Sequence, residues 1–300
     1  MAGMNTVKYR AFLEAVHCGN LTRTAEKLNY SQPAVTHMIQ SLEQEYGFPL
    51  FLRAPDKLVP TQEALRILPY IRDILYNEES LYELTNQIRG IACGQIQIGT
   101  YYSIVRTFLP SLMKRFCNRY PLINLSLVEG NTTELVYALK NRMVDFAFTA
   151  QYEFSEFKFI PLLKDPLYVV LPKDHPLCSK EFISPKDLFQ YPVISTEEKS
   201  EEDLMQISRL DGISPDIRMR AKQESSILSL VSCGMGVAII PGLYLLKPVK
   251  GISVRKLSSA WNYRTIGVSL VSIKELSPAS KTFLDYLPEN FEEFIHSLDL

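Results

Sequence analysis

The sequence predicts a two-part α/β chain, a small all-α-type domain at the N-terminus followed by a larger domain in which strands alternate with helices. Three observations predict it. Residues 1–60 read as short amphipathic helices and a hairpin, residues 61–89 as one long helix with apolar residues at heptad spacing, and residues 90–300 as alternating short strands and helices. A chain of 300 residues exceeds a typical domain, so two or three units are expected. Hydrophobic content of 46% and charged content of 22% are those of an ordinary globular protein. The net charge of −1 gives no whole-molecule attraction to nucleic acid.

The first helix carries Tyr9, Phe12, Leu13 and Val16 at spacings of three and four, one apolar stripe, and Gly19 offers the left-handed residue that stops it. A second helix is expected to open near Thr22 as its cap and to bury Leu21, Ala25 and Leu28. Asn29-Tyr30 make a tight turn, and Ser31 caps a third helix with Pro33 in its first turn. Two short helices joined by so short a turn have the helix-turn-helix layout. On the third helix Val35, Met38, Ile39 and Leu42 share one face and must pack inward. Opposite them stand Pro33, Thr36, His37, Gln40 and Gln44. Amides, hydroxyls and an imidazole on a face with no packing duty suit the reading of base edges in a major groove. An arbitrary amphipathic helix more often keeps such a face for water, so the residues around it must decide.

Leu50–Arg53 should pair with Lys57–Pro60 across the turn Ala54-Pro55-Asp56, forming a wing that brings Arg53 and Lys57 to phosphates. The first sixty residues are barely basic: Lys8, Arg10, Arg23, Lys27, Arg53 and Lys57 stand against Glu14, Glu26, Glu43, Glu45 and Asp56. One copy should therefore bind a duplex weakly, and tight binding needs several copies acting together. The long helix that follows has Ile67, Ile71, Ile74, Glu78, Leu81, Thr85 and Ile88 at heptad steps, with Pro69 its one disturbance. That seam packs either on its own domain or on the same helix of another copy. Pairing is favoured because the elements on both sides have cores of their own.

Gly90–Gly94 breaks the helix and should act as a hinge. Strands are expected at Gln95–Gly99, Asn124–Glu129 and Asp145–Thr149, with a helix to about Asn118 and another at Thr132–Asn141, which argues a mostly parallel sheet covered on both faces. In such sheets ligands sit beyond the carboxyl ends of the strands. Here those ends hold Thr100, Tyr101, Tyr102 and Ser103, then Thr132, Thr149, Ser195 and Thr196. Hydroxyls can bind a small polar or anionic ligand without burying a charge, though any one of them could simply cap its own helix. No arginine is found at a strand end, so a strongly anionic ligand is not implied.

The run AEKLNYSQPAVTHMIQSLEQEYGFPLFLR, with Ala-x-x-Leu, Ser-Gln-Pro-Ala-Val, Ile-x-x-Leu-Glu and Gly-x-Pro-Leu-Phe, resembles without a gap the N-terminal motif of LysR-type transcriptional regulators. The likeness continues through Arg-x-Tyr-Pro, Glu-Gly, His-Pro-Leu and Gly-x-Gly-x-x-x-x-Pro, and so covers the full chain. It implies a winged helix-turn-helix domain over residues 1–60, a dimerisation linker helix over 61–89 and a two-lobed periplasmic-binding-protein-like effector domain over 90–300. The lobes it implies are residues 90–161 with 266–300, and 162–265, the chain crossing near Pro161 and Thr265. It places DNA contacts at Thr22, Arg23, Ser31, Gln32, Pro33, Thr36, His37, Gln40, Arg53 and Lys57. It places effector contacts on the hydroxyl-rich turns, most directly at Thr100, Ser103, Thr132 and Thr149. The partners it implies are double-stranded operator DNA, a small effector, a second copy through the linker helix with a tetramer beyond it, and the transcription machinery.

Other classes find less support. A transport-type solute-binding protein would explain residues 90–300 but not the first ninety. His17, His37, His175 and His296 stand apart from carboxylates and cysteines at metal spacing, no Gly-x-Ser-x-Gly elbow occurs, and Gly234-Met235-Gly236 fails as a dinucleotide loop because Ile239 stands at its third glycine position. Neither an enzyme nor a cofactor or metal site is expected. Cys18, Cys93, Cys117, Cys178 and Cys233 are odd in number and scattered, as reduced thiols in a cytosol would be. No segment reads as a signal peptide or membrane span, so a cytoplasmic place is expected; Met4-Asn5 reads as the natural start, with Met1–Gly3 a remnant.

Overall fold

The computed structural model describes residues 6–53, 57–151, 157–197 and 202–295. Met1–Gly3, the turn Ala54-Pro55-Asp56 and His296 lie outside the described residues. The chain divides into two units, Met1–Gly94 and Gln95–Leu300.

In the first unit α1 (Thr6–Cys18), α2 (Leu21–Leu28) and α3 (Gln32–Tyr46) precede a hairpin of β1 (Phe51–Arg53) and β2 (Leu58–Pro60), and α4 (Gln62–Ile88) follows. Phe12, Ala15, Ala25, Val35, Ile39, Leu42 and Leu50 form its core. The cap of α2 is Asn20, not Thr22: the Asn20 carboxamide oxygen accepts from the backbone N–H of both Thr22 and Arg23. An Asn in extended backbone just before the helix reaches those free amides better than a residue already inside the first turn. Ser31 caps α3 as expected, its Oγ accepting from the Ala34 N–H, and Gly47 ends that helix at φ 78°, where a side chain would be strained. The hairpin pairs Phe51 with Pro60, Leu52 with Val59 and Arg53 with Leu58.

The heptad seam of α4 divides. Ala64, Leu68, Ile71 and Leu75 join the unit's own core, with Ile67 and Ile74 packed against it. Glu78 turns to Thr6 and Arg10 of α1, accepting from both. Fully burying an Ile or Leu is worth about 1.5–3 kcal/mol, so the first half of the helix takes the partner nearest to it. The second half is different: Leu81 is 62% exposed and Ile88 78%, and Leu84 beside them 46%. These three stand at steps of three and four, one bare apolar stripe.

The second unit opens with β3 (Gly94–Thr100), α5 (Tyr102–Val105), α6 (Leu109–Arg119), β4 (Ile123–Glu129), α7 (Thr132–Lys140) and β5 (Phe146–Ala150). A single helix was expected up to Asn118; two form, because Pro110 has no N–H to give the carbonyl four residues back and its ring crowds that carbonyl, so the helix restarts with proline in its first turn. The long strand β6 (Lys158–Pro172) leads to β7 (Phe182–Ile183), α8 (Pro185–Leu188), β8 (Val193–Thr196), α9 (Glu202–Asp211), β9 (Ile217–Ala221), α10 (Glu224–Ser232), β10 (Ala238–Pro241) and β11 (Ile252–Leu257). The chain returns by β12 (Tyr263–Leu270) to the final helix α11 (Pro278–Ile295).

The sheet is mixed rather than mostly parallel. β3 pairs parallel with β5, but β12 runs antiparallel to both β5 and β6, and β10 and β11 run antiparallel to β6; β8 and β9 pair parallel in a separate two-stranded sheet. The reason is the return path: β12 comes back along β6 directly, so the pair that links the two halves must oppose. One half is built on Phe108, Phe116, Phe146, Phe148 and Phe283, the other on Leu167, Val169, Ile183, Ile207 and Val231. At the crossing Asp165 faces Arg264, and the register slips between Ile266 and Gly267. A Cβ on Gly267 would run into the Ile160 carbonyl oxygen, so only glycine lets the strands approach there.

Candidate functional site

Two surfaces collect the residues singled out by the sequence. The first is the outward edge of α3. Val35, Ile39 and Leu42 are buried, and Ser31, Gln32, Pro33, His37, Gln40 and Gln44 are exposed, with Thr36 half-buried. The Thr36 hydroxyl donates to the Gln32 carbonyl within the helix. Thr22 and Arg23, at the start of α2, are also exposed, as is Lys57 beside the hairpin. Arg53 ends β1, and its side chain lies outside the described residues. Three of the unit's cations are engaged elsewhere: Lys27 with Glu14 at 2.6 Å, Arg10 with Glu78 at 3.0 Å and Lys8 with Glu45 at 4.0 Å. Arg23 and Lys57 form no ion pair among the described residues.

The second surface is a cavity of about 300 Å³ between the two halves of the second unit, at the carboxyl ends of the strands. Of the predicted contacts, Tyr101, Thr132, Ser195 and Thr196 line it, together with Tyr102. Thr100, Ser103 and Thr149 do not. Thr100 is fully buried and donates to the Tyr101 carbonyl; the Thr149 hydroxyl lies 2.7 Å from that of Ser269, inside the sheet. Ser103 is buried beneath the floor, 3.5 Å from Arg264 Nη2. Side chains along a strand alternate faces, so a hydroxyl at a strand end can point into the core as readily as into the crevice. These three stand behind the lining rather than in it.

The sequence reading missed the charged part of the lining. Arg264 reaches the cavity from β12 and is the arginine that no strand end was expected to supply. It donates through Nε, at 2.9 Å, to Asp165 Oδ2, while the Leu243 N–H donates to Oδ1. Burial pushes the Asp165 carboxyl up, opposed by the Arg264 guanidinium and by that amide. Glu202 and Glu224, the first residues of α9 and α10, also face the cavity. Burial raises both carboxyls, opposed at Glu202 by its own backbone N–H and the Thr132 hydroxyl, and at Glu224 by the Tyr244 hydroxyl and its own N–H. The Thr132 hydroxyl lies 2.8 Å from that of Tyr101, and both line the mouth together with Glu202. Lys222 closes a second bridge, 3.2 Å to Glu134. The signal that could have found Glu202 and Glu224 is their place at helix starts beyond strand ends, where hydroxyls alone were expected.

A helical DNA-reading unit followed by a two-lobed α/β unit with a cavity at its crossing defines a ligand-responsive regulator. Comparison with known proteins agrees. Residues 7–65 match the model of the bacterial regulatory helix-turn-helix protein, lysR family, and residues 89–292 that of the LysR substrate binding domain. The chain belongs to the LysR family of transcriptional regulators. It is 30% identical over 290 residues to the uncharacterized HTH-type transcriptional regulator YvbU of Bacillus subtilis, covering 96% of this chain and 99% of that protein. It is 26% identical over 270 residues to the malonate utilization transcriptional regulator of Klebsiella pneumoniae, covering 88% and 87%. Among solved structures, a full-length OxyR variant from Pseudomonas aeruginosa superposes with a TM-score of 0.75 at 21% identity, covering 97% of this chain and 96% of that one. The effector-binding domain of QuiR in complex with shikimate gives 0.61 at 25% identity over 67% of this chain and 98% of that one. The helix-turn-helix match sets aside a solute-binding protein without a DNA role. No helix among the described residues is long and apolar enough to cross a membrane, and no group of three or more His, Cys, Asp or Glu among them is placed to hold a metal ion.

Proposed function

We propose that the outward edge of α3 reads operator DNA through Pro33, Thr36, His37 and Gln40, with Ser31, Gln32, Thr22 and Arg23 beside it and Arg53 and Lys57 on phosphates. A small polar effector held between residues of the two lobes controls that binding. The observation that carries this reading is the division of α3 into a buried apolar face and an exposed polar one with no packing duty. The bare stripe Leu81, Leu84 and Ile88 on α4 supports pairing of two copies through this helix, and the shortage of free cations makes such pairing necessary for tight binding. Domain limits at 60 and 89, lobes meeting near 161 and 265, a cytoplasmic place and the absence of enzymatic activity belong to the same reading. Relatives support both partners: QuiR is solved with shikimate, and CbnR with its target DNA.

The mechanism follows from coupling. A ligand that binds the closed lobes more tightly than the open ones shifts their balance by its difference in affinity. Two copies joined through α4 then present their α3 helices at a changed spacing, to which half-sites one helical turn apart are sensitive. Footprinting with the full chain on DNA upstream of a neighbouring, divergently transcribed gene tests the reading. His37→Ala and Gln40→Ala should each cost about 1–3 kcal/mol of operator affinity and relax the preference at one base position. Unchanged affinity and preference in both variants would remove α3 from the groove.

A further inference from the structure

We infer that the effector of this cleft carries a positively charged nitrogen, an ammonium or guanidinium group, rather than a carboxylate. This rests on the cleft being the effector site, and concerns the charge of what enters it.

Three helices of eight residues or more, α7, α9 and α10, start at the cavity. Helix starts offer free N–H groups and a partial positive charge, and left bare they would favour an anion. Here each is already filled from within the chain. The Glu134 carboxylate accepts from the Asn131 N–H in a capping box on α7. Glu202 and Asp203 stand in the first turn of α9, and Glu224 in that of α10. An anionic ligand would meet carboxylates where it needed amides.

The cations of the lining are also committed. Lys222 is bridged to Glu134, and Arg264 to the buried Asp165. Glu202, Asp203 and Glu224 all line the cavity and form no ion pair among the described residues; Asp203 accepts from the neutral Trp261 Nε1–H at 3.0 Å. A carboxylate withdrawn from water is costly unless paired. Its second oxygen has lone pairs to spare. An ammonium or guanidinium supplies both the charge and the N–H donors that these oxygens lack. The volume of about 300 Å³ is at the small end of ligand sites, which fits a compact amine.

The test uses the full-length protein at fixed ionic strength, with 1,4-diaminobutane and agmatine as cationic probes and succinate and shikimate as anionic ones. Melting temperature and calorimetric titration are both read. At least one cationic probe should give a saturable rise in melting temperature and neither anion should, because a ligand stabilises in proportion to its occupancy of the folded state. Glu224→Gln and Glu202→Gln should each weaken that probe at least tenfold, while both variants keep a single cooperative melting transition without any probe, which shows that they are folded. A saturable rise with succinate or shikimate that survives both substitutions would overturn the charge assignment and leave the cleft as the effector site. A rise with a cation that both variants keep would place that ligand elsewhere and overturn it too. No saturable shift with any of the four probes would also overturn it. Operator binding by the same samples reports separately on the DNA-reading half of the function.

Discussion

The outward edge of α3, proposed to meet DNA, and the cavity of the second unit, proposed to hold the effector, are made in opposite ways. The edge is exposed and almost uncharged, its donors and acceptors set on one rigid helix. The cavity gathers residues from separate strands and helices, and its lining is charged and partly withdrawn from water. Polar groups on the edge remain hydrated until a duplex arrives, so they cost the free protein little. Charges in the cavity must be balanced within the fold at all times. The difference teaches where mutations should be felt: on the edge in recognition, in the cavity in stability as well.

The largest effect should come from Arg264→Ala. It leaves Asp165, with no exposed surface, without its guanidinium, and breaking a buried pair on one side costs about 3–5 kcal/mol. Urea unfolding of the full chain measures this; a loss below about 1 kcal/mol would mean that water already reaches the pair. Smaller and opposite in sign is the effect of Glu202→Gln with Glu224→Gln. Each carboxyl sits above the ordinary 4.5 when folded, through burial. The folded state therefore holds its protons to higher pH than the unfolded one, and stability is full below about 4.5 and lost as pH rises through the folded values. Facing these groups are Arg264, Asp203, Thr132 and Tyr244, of which only Arg264 is a cation. The amide pair should thus melt higher than the wild type above the ordinary carboxyl range and lose the slope that these two groups give as pH rises through it. An unchanged slope would mean that both groups are ionised in the folded state as easily as in water.

Asn20→Ala addresses the other region. Loss of the α2 cap should cost about 1 kcal/mol and, because the cap fixes the turn carrying Thr22 and Arg23, should weaken operator binding as well. Stability lost without any change in binding would separate α2 from the DNA contact. The smallest effect is expected from Lys222→Ala, whose bridge to Glu134 is about half exposed on both sides and contributes under about 1 kcal/mol. Thermal melts at low and high salt should show the difference between variant and wild type shrinking as salt rises.

The sequence made the edge legible and left much of the cavity hidden, for a physical reason. On a helix the turn angle alone decides that Val35, Ile39 and Leu42 face in while His37 and Gln40 face out, and the fold places all five on the faces that this angle assigns. The alternation of strands and helices in the second unit was legible likewise. What a strand-end residue faces depends on pleat and on where the next helix starts, and neither is local. Thr149 therefore turns into the sheet beside Ser269, and Arg264, with a partner 99 positions away in sequence, left no local trace. The division of the α4 seam was invisible for the same reason: Ile71 and Leu81 look alike in sequence, and only the fold gives one of them a core.

Asp165 and Arg264 sit opposite one another where the chain leaves one half of the second unit and where it comes back. The consequence is historical as much as mechanical. Neither position can drift alone without passing through an ancestor that carries a stranded charge, so descent should keep the two together or exchange them together. Relatives that have lost one and retained its mate would mark lineages in which this crossing was rebuilt.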